Sequence, residues 1–303
     1  MAQARRKSQS AMRGRDMALA AFTSVIWGFA FPAIKIALVD FSAPQLTALR
    51  FIVAALPVFL LSRPRVSWQA VVLIGLTLFT GQFLLMFFSY ELGMPPGLAS
   101  VTQQIQVFFT VLLAAIFLGD HPTRRQIAGM AVAFAGLALI ALTTGGDLRP
   151  AALGLALGAA LSWSVGNVLV KRADNTPIFA LLAWCSLVPP LPSLAISAAV
   201  DKVPVWTALA HASWPGLLAV VYLGAITTNV GYAAWGHLLQ RYKAGVVAPF
   251  ALLSPCTGIL ASAWLFGEVF PAARYAGMAL ILAGLAVILL PGAKPPVQTE
   301  PFA

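Results

Sequence analysis

The side chains of this sequence that could do chemistry are mainly amides, hydroxyls and indoles, and most of them lie inside long apolar stretches. Such groups can hydrogen-bond to a small solute or stack against it, but catalysis would need a nucleophile with a base, or a metal cluster. The three histidines, His121, His211 and His237, lie in different segments, and the sequence contains no metal-ligand spacing and no phosphate-binding glycine loop. We therefore expect a small-molecule substrate, no enzyme activity, no cofactor and no metal.

Polar residues within the apolar stretches are the candidates for a binding site, because a polar group in hydrocarbon is costly unless it is paired or hydrated. The predicted substrate-binding residues are Trp27, Lys35, Gln82, Gln104, Gln106, Trp163, Asn167, Tyr232, Trp235 and Ser254. The amides would bind amino, carboxyl or amide groups of the substrate, and the aromatic rings could attract an ammonium group by cation–π contact. The alternative is that each amide or hydroxyl only links two helices.

Charged groups near these stretches bear on the substrate and on energy coupling. Lys35 could hold a substrate carboxylate, although a lysine near a helix end can extend toward the lipid headgroups instead. No Asp or Glu lies in the middle of an apolar stretch, which argues against a proton relay through a buried carboxylate. A proton is still a candidate coupling ion, with Glu91 or His237 as its carrier. Ser254 precedes Pro255, a residue type that interrupts a helix and frees carbonyl oxygens.

Ten apolar stretches must position these residues. They lie at about 17–39, 44–62, 68–90, 96–118, 124–143, 150–171, 177–199, 213–238, 244–266 and 270–291. Each is close to the ~20 residues that a helix needs to cross a bilayer, and their continuous apolarity lacks the alternation of a membrane barrel strand. The chain is 60% hydrophobic and 9% charged, against about 25% charged residues in soluble domains. We therefore predict an all-α integral membrane protein with ten transmembrane helices in the lipid bilayer.

An internal repeat organises these helices. The sequence AGMAVAFAGLALI at 128–140 matches AGMALILAGLAVI at 276–288 in nine of thirteen positions, at a constant offset of 148. Because each half carries five helices, an odd number, the second half is predicted to insert upside down relative to the first. The predicted domains are a basic tail 1–16, a first repeat 17–143, a second repeat 150–291 and a tail 292–303. Inverted repeats are typical of transporters that open alternately to the two sides of the membrane.

The distribution of positive charge predicts the orientation. Lys and Arg exceed Asp and Glu by 19 − 9 = 10, and the charges lie in short gaps between apolar stretches rather than in a patch suited to nucleic acid. With the N-terminus inside, fourteen Lys and Arg fall on the inner side and five on the outer side, the outer ones being Lys35, Arg50, Arg149, Lys202 and Arg274. This bias predicts a multi-pass protein with both termini in the cytoplasm and no nucleic-acid partner.

Small residues follow a regular pattern in two of the predicted helices. Glycines at 129, 136, 277 and 284 recur with a spacing of seven residues. Since small residues let membrane helices approach closely, we interpret these helices as scaffold or as the faces of a possible homodimer. The two cysteines, Cys185 and Cys256, lie inside apolar stretches and are interpreted as small buried residues.

Several segments together resemble the EamA family of the drug/metabolite transporter superfamily. They are WGFAFPAIK at 27–35, LRF at 49–51, GMPPGLASVTQQIQVFFT at 93–110 and the repeated AGMA and AGLA blocks. The resemblance covers the chain after residue 16, and it implies a ten-helix exporter of the bacterial inner membrane with a central cavity. Within the family, SWSVGNVLVK at 162–171 and VGYAAWGHLLQRY at 230–242 look most like segments of bacterial exporters of O-acetylserine and cysteine.

The hypothesis from the sequence is a secondary transporter that exports a small amino acid or a related metabolite, similar to O-acetylserine or cysteine, by alternating access. The nearest alternative is an EamA-type exporter of another cargo, such as an aromatic amino acid, a drug or another metabolite. A membrane-embedded enzyme would need reactive groups that the sequence does not bring together, and a passive channel would not need broken helices in inverted repeats.

Overall fold

The computed structural model describes residues 12–93, 102–142, 149–173, 176–267 and 269–289. In chain order its apolar helices are α1 (Gly14–Ala37), α2 (Ala43–Phe59), α3 (Trp68–Ser89), α4 (Gln106–Leu118), α5 (Arg124–Ala141), α6 (Pro150–Arg172), α7 (Ile178–Val200), α8 (Trp214–Arg241), α9 (Ala244–Phe266) and α10 (Ala272–Ile288). Seven of them are long and apolar enough to cross a membrane, and α2, α4 and α10 are shorter. The described ranges contain no strand, so the prediction of an all-α membrane protein is confirmed.

The helix boundaries follow local sequence signals. α1 begins at Gly14, inside the predicted tail, because Asp16 in its first turn interacts favourably with the positive end of the helix dipole. The hydroxyl of Ser42 accepts from the Gln45 amide to begin α2, and the Thr123 hydroxyl does the same at the start of α5. A short helix, Val205–His211, connects α7 to α8. The first part of the fourth predicted stretch, 94–101, and the C-terminal tail lie outside the described residues.

Two helix ends repeat at the offset found in the sequence. α4 ends at Gly119 with φ 68°, and α9 ends at Gly267 with φ 65°. Both angles lie in the left-handed region, where a residue without a Cβ avoids steric cost. The matching backbone geometry 148 residues apart extends the repeat from sequence to structure.

A wider helical turn also recurs in equivalent places. α3 changes to a π-helix at Gly75–Gly81, and α8 does so at Tyr222–Tyr232. The Thr80 hydroxyl donates to the Gly75 oxygen at 3.1 Å, and at the same offset the Thr228 hydroxyl donates to the Leu223 oxygen at 2.8 Å. Such turns are rare and frequently mark functional sites, so both helices are candidates to line a binding site.

The repeated glycines bring α5 and α10 into backbone contact. A Cβ at Gly136 would lie 2.4 Å from the Gly277 oxygen, and one at Gly129 would lie 2.7 Å from the Gly284 oxygen. As the residue number rises along α5 it falls along α10, so these equivalent helices run antiparallel. The close approach predicted from the glycine spacing is confirmed, and it occurs between two helices of the same chain.

The contacts of α1 and of its counterpart α6 also follow the internal repeat. α1 packs on α8 and α9, whereas its counterpart α6 packs on α3 and α4. Each repeat therefore contributes one helix that contacts mainly the other repeat. α1 and α6, together with the two helices that contain π turns, surround the interior where most of the candidate residues lie.

Candidate functional site

Four predicted aromatic residues from both repeats form one cluster. The Trp27 ring of α1 lies 5.0 Å from Trp235, 5.1 Å from Tyr232 and 6.2 Å from Trp163 of α6, measured between ring centroids. Trp163 and Trp235 are buried, and Trp27 is partly buried. The Trp27 indole donates to the Thr227 oxygen at 3.2 Å, a bond that fixes the ring against the π turn of α8. The structure thus joins the interior faces of both repeats through π-rich surfaces, which can attract a cation.

The predicted amides flank this cluster on two sides. The Tyr232 hydroxyl donates to Gln82 of α3 at 3.3 Å. On the other side, the Asn167 amide of α6 donates to the Thr110 hydroxyl of α4 at 3.3 Å. Both hydrogen bonds connect one helix to another, as expected if these amides only link helices. They also place amide groups beside the aromatic rings.

Two amides just before α4 have side-chain oxygens to which no described residue donates. Gln103 donates to the Gln106 side-chain oxygen at 2.9 Å. The side-chain oxygens of Gln103 and Gln104 and the indole N–H of Trp235 are buried without a hydrogen-bond partner among the described residues. A buried polar group without a partner is uncommon in folded proteins. Three such groups therefore favour a polar ligand over a purely structural interior.

Two predicted residues lie apart from this cluster. The Ser254 hydroxyl donates to the Ser24 oxygen at 3.3 Å, so it links α9 to α1. Lys35 is exposed near the end of α1, with its ammonium 4.2 Å from the Phe266 ring centroid. The structure does not bring Lys35 together with the aromatic cluster, and its position fits a side chain that extends along a helix surface.

Arg50 is the residue that sequence reasoning missed. Counting charges by side places it in the outer gaps, but the structure buries it within α2, with 4% of its surface exposed. Its Nη2 donates to the Thr227 hydroxyl at 3.1 Å and to the Thr228 hydroxyl at 3.0 Å. The sequence does contain a signal, because Arg50 lies within the apolar stretch 44–62. A charge in such a stretch costs about 3 kcal/mol on insertion scales and marks a functional position by default. When Arg50 is removed from the outer set, fourteen Lys and Arg lie on the predicted inner side and four on the outer side.

The guanidinium of Arg50 is enclosed by aromatic faces as well as hydroxyls. Its Cζ lies 4.4 Å from the Phe83 ring centroid and 5.2 Å from that of Phe51, distances at which cation–π attraction operates. Its Nε is buried without a hydrogen-bond partner among the described residues. The charge is therefore held in position but not neutralised by a carboxylate in the part of the chain that the structure describes.

Two cavities lie toward opposite ends of α1. One, of about 570 Å³, is lined by Arg13, Arg15, Asp16, Ala18, Leu19, Phe22, His237 and Arg241. The other, of about 600 Å³, includes Asp40, Ser42, Gln45, Asp201, Lys202 and His211 in its walls. Trp27 lies on α1 between the residues that line the two cavities, and the aromatic cluster belongs to neither. The aromatic cluster therefore lies between two polar recesses along α1.

Polar contacts tie the helices together near each recess. At the Lys171 end of α6, its ammonium pairs with Asp120 at 2.9 Å and donates to the Leu239 oxygen at 2.9 Å. At the other end, Ser42 donates to Asp201 at 2.6 Å, and Gln45 donates to the Val203 oxygen at 2.7 Å. The pairs Lys171–Asp120, Ser42–Asp201 and Gln45–Val203 join the two repeats. Separating the repeats on either side would break the contacts on that side.

The contact between Gly231 and the Trp27 ring gives a test of the cluster. A Cβ at Gly231 would lie 2.7 Å from the Trp27 Nε1, so Gly231→Ala must displace the indole from its bond to Thr227. We expect at least a tenfold loss of transport at normal expression, measured in cells. Gly158→Ala is the control, because its Cβ would meet only ordinary contact at 3.5 Å. Equal activity of the two variants would contradict a role for the cluster.

Comparison with known proteins identifies close relatives. A model of the EamA-like transporter family matches residues 16–142 and 150–290. Proteins named "Probable amino-acid metabolite efflux pump" from Salmonella typhimurium and Escherichia coli are 35% and 34% identical over 282 residues, covering 90% of this chain and 94% of each relative. A "Probable terminal-alkyne amino-acid exporter" from Streptantibioticus cattleyicolor is 32% identical, covering 88% of this chain and 90% of that relative.

A solved structure shares the fold. One crystal structure superposes on this chain with a TM-score of 0.78, covering 92% of this chain and 99% of the other at 20% identity. At this identity the likeness concerns the arrangement of helices alone.

Proposed function

This chain belongs to the EamA-like transporter family, and we propose that it exports a small amino acid or a related metabolite by alternating access. As a member of this family it is a transporter rather than an enzyme. The relatives named as amino-acid metabolite efflux pumps and as an amino-acid exporter support the choice of cargo. Within that class, a compound similar to O-acetylserine or cysteine is the proposed substrate.

The observation that carries this proposal is the buried aromatic cluster between two polar recesses. The aromatic rings of Trp27, Trp163, Tyr232 and Trp235 lie between the two cavities, and the Gln82 amide bonds to Tyr232. A substrate that enters from either recess would meet π faces suited to an ammonium and amides suited to polar groups. Opening one recess while the other stays closed would give alternating access.

The proposed architecture is ten transmembrane helices in two inverted repeats, 17–143 and 150–291, with both termini in the cytoplasm of a bacterial cell. The antiparallel contact of α5 with its counterpart α10 supports inversion, and so do the recurring π turns and glycine ends. A proton as coupling ion and a homodimer remain predictions. His237, the proposed proton carrier within the described residues, is exposed and lines the recess near Asp16.

The amides supply the direct test of the proposed site. Gln104→Ala and Asn167→Ala should each lower export about tenfold, since each removes a hydrogen bond worth about 1–2 kcal/mol to a polar ligand. Extracellular amino acids and thiol-pathway metabolites would be quantified by mass spectrometry in overproducing cells. Gln69→Ala, an exposed amide of α3, is the control at matched expression. Wild-type export by both site variants would reject this site, and an unchanged amino-acid pool would redirect the search to drugs or other metabolites.

A further inference from the structure

We propose that Arg50 binds the carboxylate of the transported amino acid, a role that rests on the proposed function. Three observations carry the assignment: the position of Arg50 beside the aromatic cluster, the lack of a neutralising carboxylate among its described neighbours, and a buried Nε donor from which no described residue accepts. Together they make the site complementary to a zwitterion rather than to a simple cation or a neutral solute.

Arg50 and the aromatic cluster share a contact residue. Thr227 accepts from Arg50 Nη2 through its hydroxyl at 3.1 Å, and its backbone oxygen accepts from the Trp27 indole at 3.2 Å. Phe83, over which the guanidinium lies, directly follows Gln82, whose side chain accepts from Tyr232. Arg50 therefore belongs to the same interior region as the cluster, although it comes from α2.

The electrostatic environment of Arg50 calls for an anion. The described ion pairs use Lys171 with Asp120 and Arg241 with Asp16. The partners of Arg50 within the described ranges are hydroxyls, a carbonyl and aromatic rings. A buried charge without a counter-ion is costly, so an incoming carboxylate would relieve that cost. Its binding would be favoured more strongly than that of the same compound without the negative charge.

Arg50 has one buried donor that an anion could use. A guanidinium presents its N–H groups in fixed directions and binds carboxylates through charge-assisted hydrogen bonds. In Arg50 the two Thr hydroxyls accept from Nη2, while Nε is buried and unpaired in the described part of the chain. One carboxylate oxygen would accept from Nε, and the amino group of the substrate would lie toward the rings of Trp27 and Tyr232.

This arrangement predicts how the protein discriminates between ligands. An amino acid should bind, whereas its carboxamide, which keeps the side chain and the ammonium but loses the anionic group, should bind at least tenfold more weakly. Lys35, exposed near the end of α1, is not needed for this discrimination. Lys35→Gln therefore serves as a matched control that also removes one positive charge.

The experiment measures thermal stabilisation of the purified full chain in detergent by the twenty amino acids and O-acetylserine, and by their carboxamides. Wild type and Lys35→Gln should be stabilised by one or more free acids and at least tenfold more weakly by the amides. In Arg50→Gln this preference should disappear, and Arg50→Lys, which keeps the charge but lacks the Nε donor, should bind the acid about tenfold more weakly with amide binding unchanged. A purely structural role would lower the unfolding temperature of the free protein without changing the preference.

The possible outcomes separate the two proposals. If acids and amides stabilise the wild type equally, or if Arg50→Lys and Arg50→Gln keep the preference, amino-acid binding stands and the role of Arg50 is overturned. If Arg50→Gln does not fold, the Arg50→Lys measurement alone decides the assignment. If neither form of any amino acid binds to the wild type, the proposed function and the carboxylate site both fail.

Discussion

Replacing Lys171 with methionine is expected to abolish transport and to leave little folded protein. Lys171 and Asp120 are each 10% exposed and pair at 2.9 Å, and the ammonium also donates to carbonyl oxygens of Leu239 and Tyr242. Breaking a buried pair by removing one partner costs about 3–5 kcal/mol, because the remaining charge is uncompensated. The yield of monodisperse protein and the unfolding temperature in detergent would measure the loss.

The double variant gives the sharper form of this test. Asp120→Asn together with Lys171→Met removes both charges, so it should be more stable than Lys171→Met alone by several kcal/mol, as expected when a buried charge is no longer unpaired. Lys202→Met, an exposed lysine at the other end of the molecule, should change stability by less than about 0.5 kcal/mol. Additive losses in the double variant would show that the two side chains are not coupled.

The second large effect is expected from Gly136→Ala. In an unobstructed helix this change stabilises by about 1 kcal/mol, but here the new methyl would lie 2.4 Å from the Gly277 oxygen and 2.8 Å from the Leu280 Cβ. Because the first obstacle is backbone, α5 and α10 must separate, at the cost of about 1–3 kcal/mol typical of overpacking. We expect a lower unfolding temperature, measured in detergent, with loss of transport in proportion to the loss of folded protein.

Gly154→Ala provides the matched control for that prediction. Gly154 lies in α6, and a Cβ added there would have no atom within 4 Å beyond its own helix backbone and chain neighbours, so alanine should leave stability unchanged or raise it. The two substitutions are chemically identical and differ in their surroundings alone. If both variants unfold at the same temperature, the close contact of α5 and α10 does not support the fold.

The sequence predicted the architecture well because apolar length and internal repetition are properties of the chain itself. The stretch at 244–266 became α9 with the same ends, and the glycines at 129 and 136 met their counterparts across the α5–α10 contact. Hydrophobic length predicts a helix whatever its neighbours are, and a repeated small residue predicts a close approach. Such features need no knowledge of how helices rotate about their axes.

The candidate site was predicted in part. Trp27, Trp163, Tyr232 and Trp235 meet, whereas Lys35 lies apart on an exposed surface. The direction in which a side chain projects depends on helix rotation and on which helices become neighbours, and hydropathy contains neither. Arg50 was missed for a related reason. The positive-inside count assigns every Lys and Arg to one side of the membrane, even a residue that lies inside an apolar stretch.

The glycine contact between α5 and α10 limits where the molecule can deform. Where backbone packs against backbone, no side chain can change rotamer to accommodate a movement. The α5–α10 pair is therefore expected to stay rigid, and it lies outside the aromatic cluster. We expect the displacements of a transport cycle to occur outside this pair, at the contacts of α1 and α6 with the helices that they cross. The distance between two spin labels or fluorophores, one on α5 and one on α10, should stay constant throughout the cycle. The distance between labels on α1 and α6 should change during every turnover.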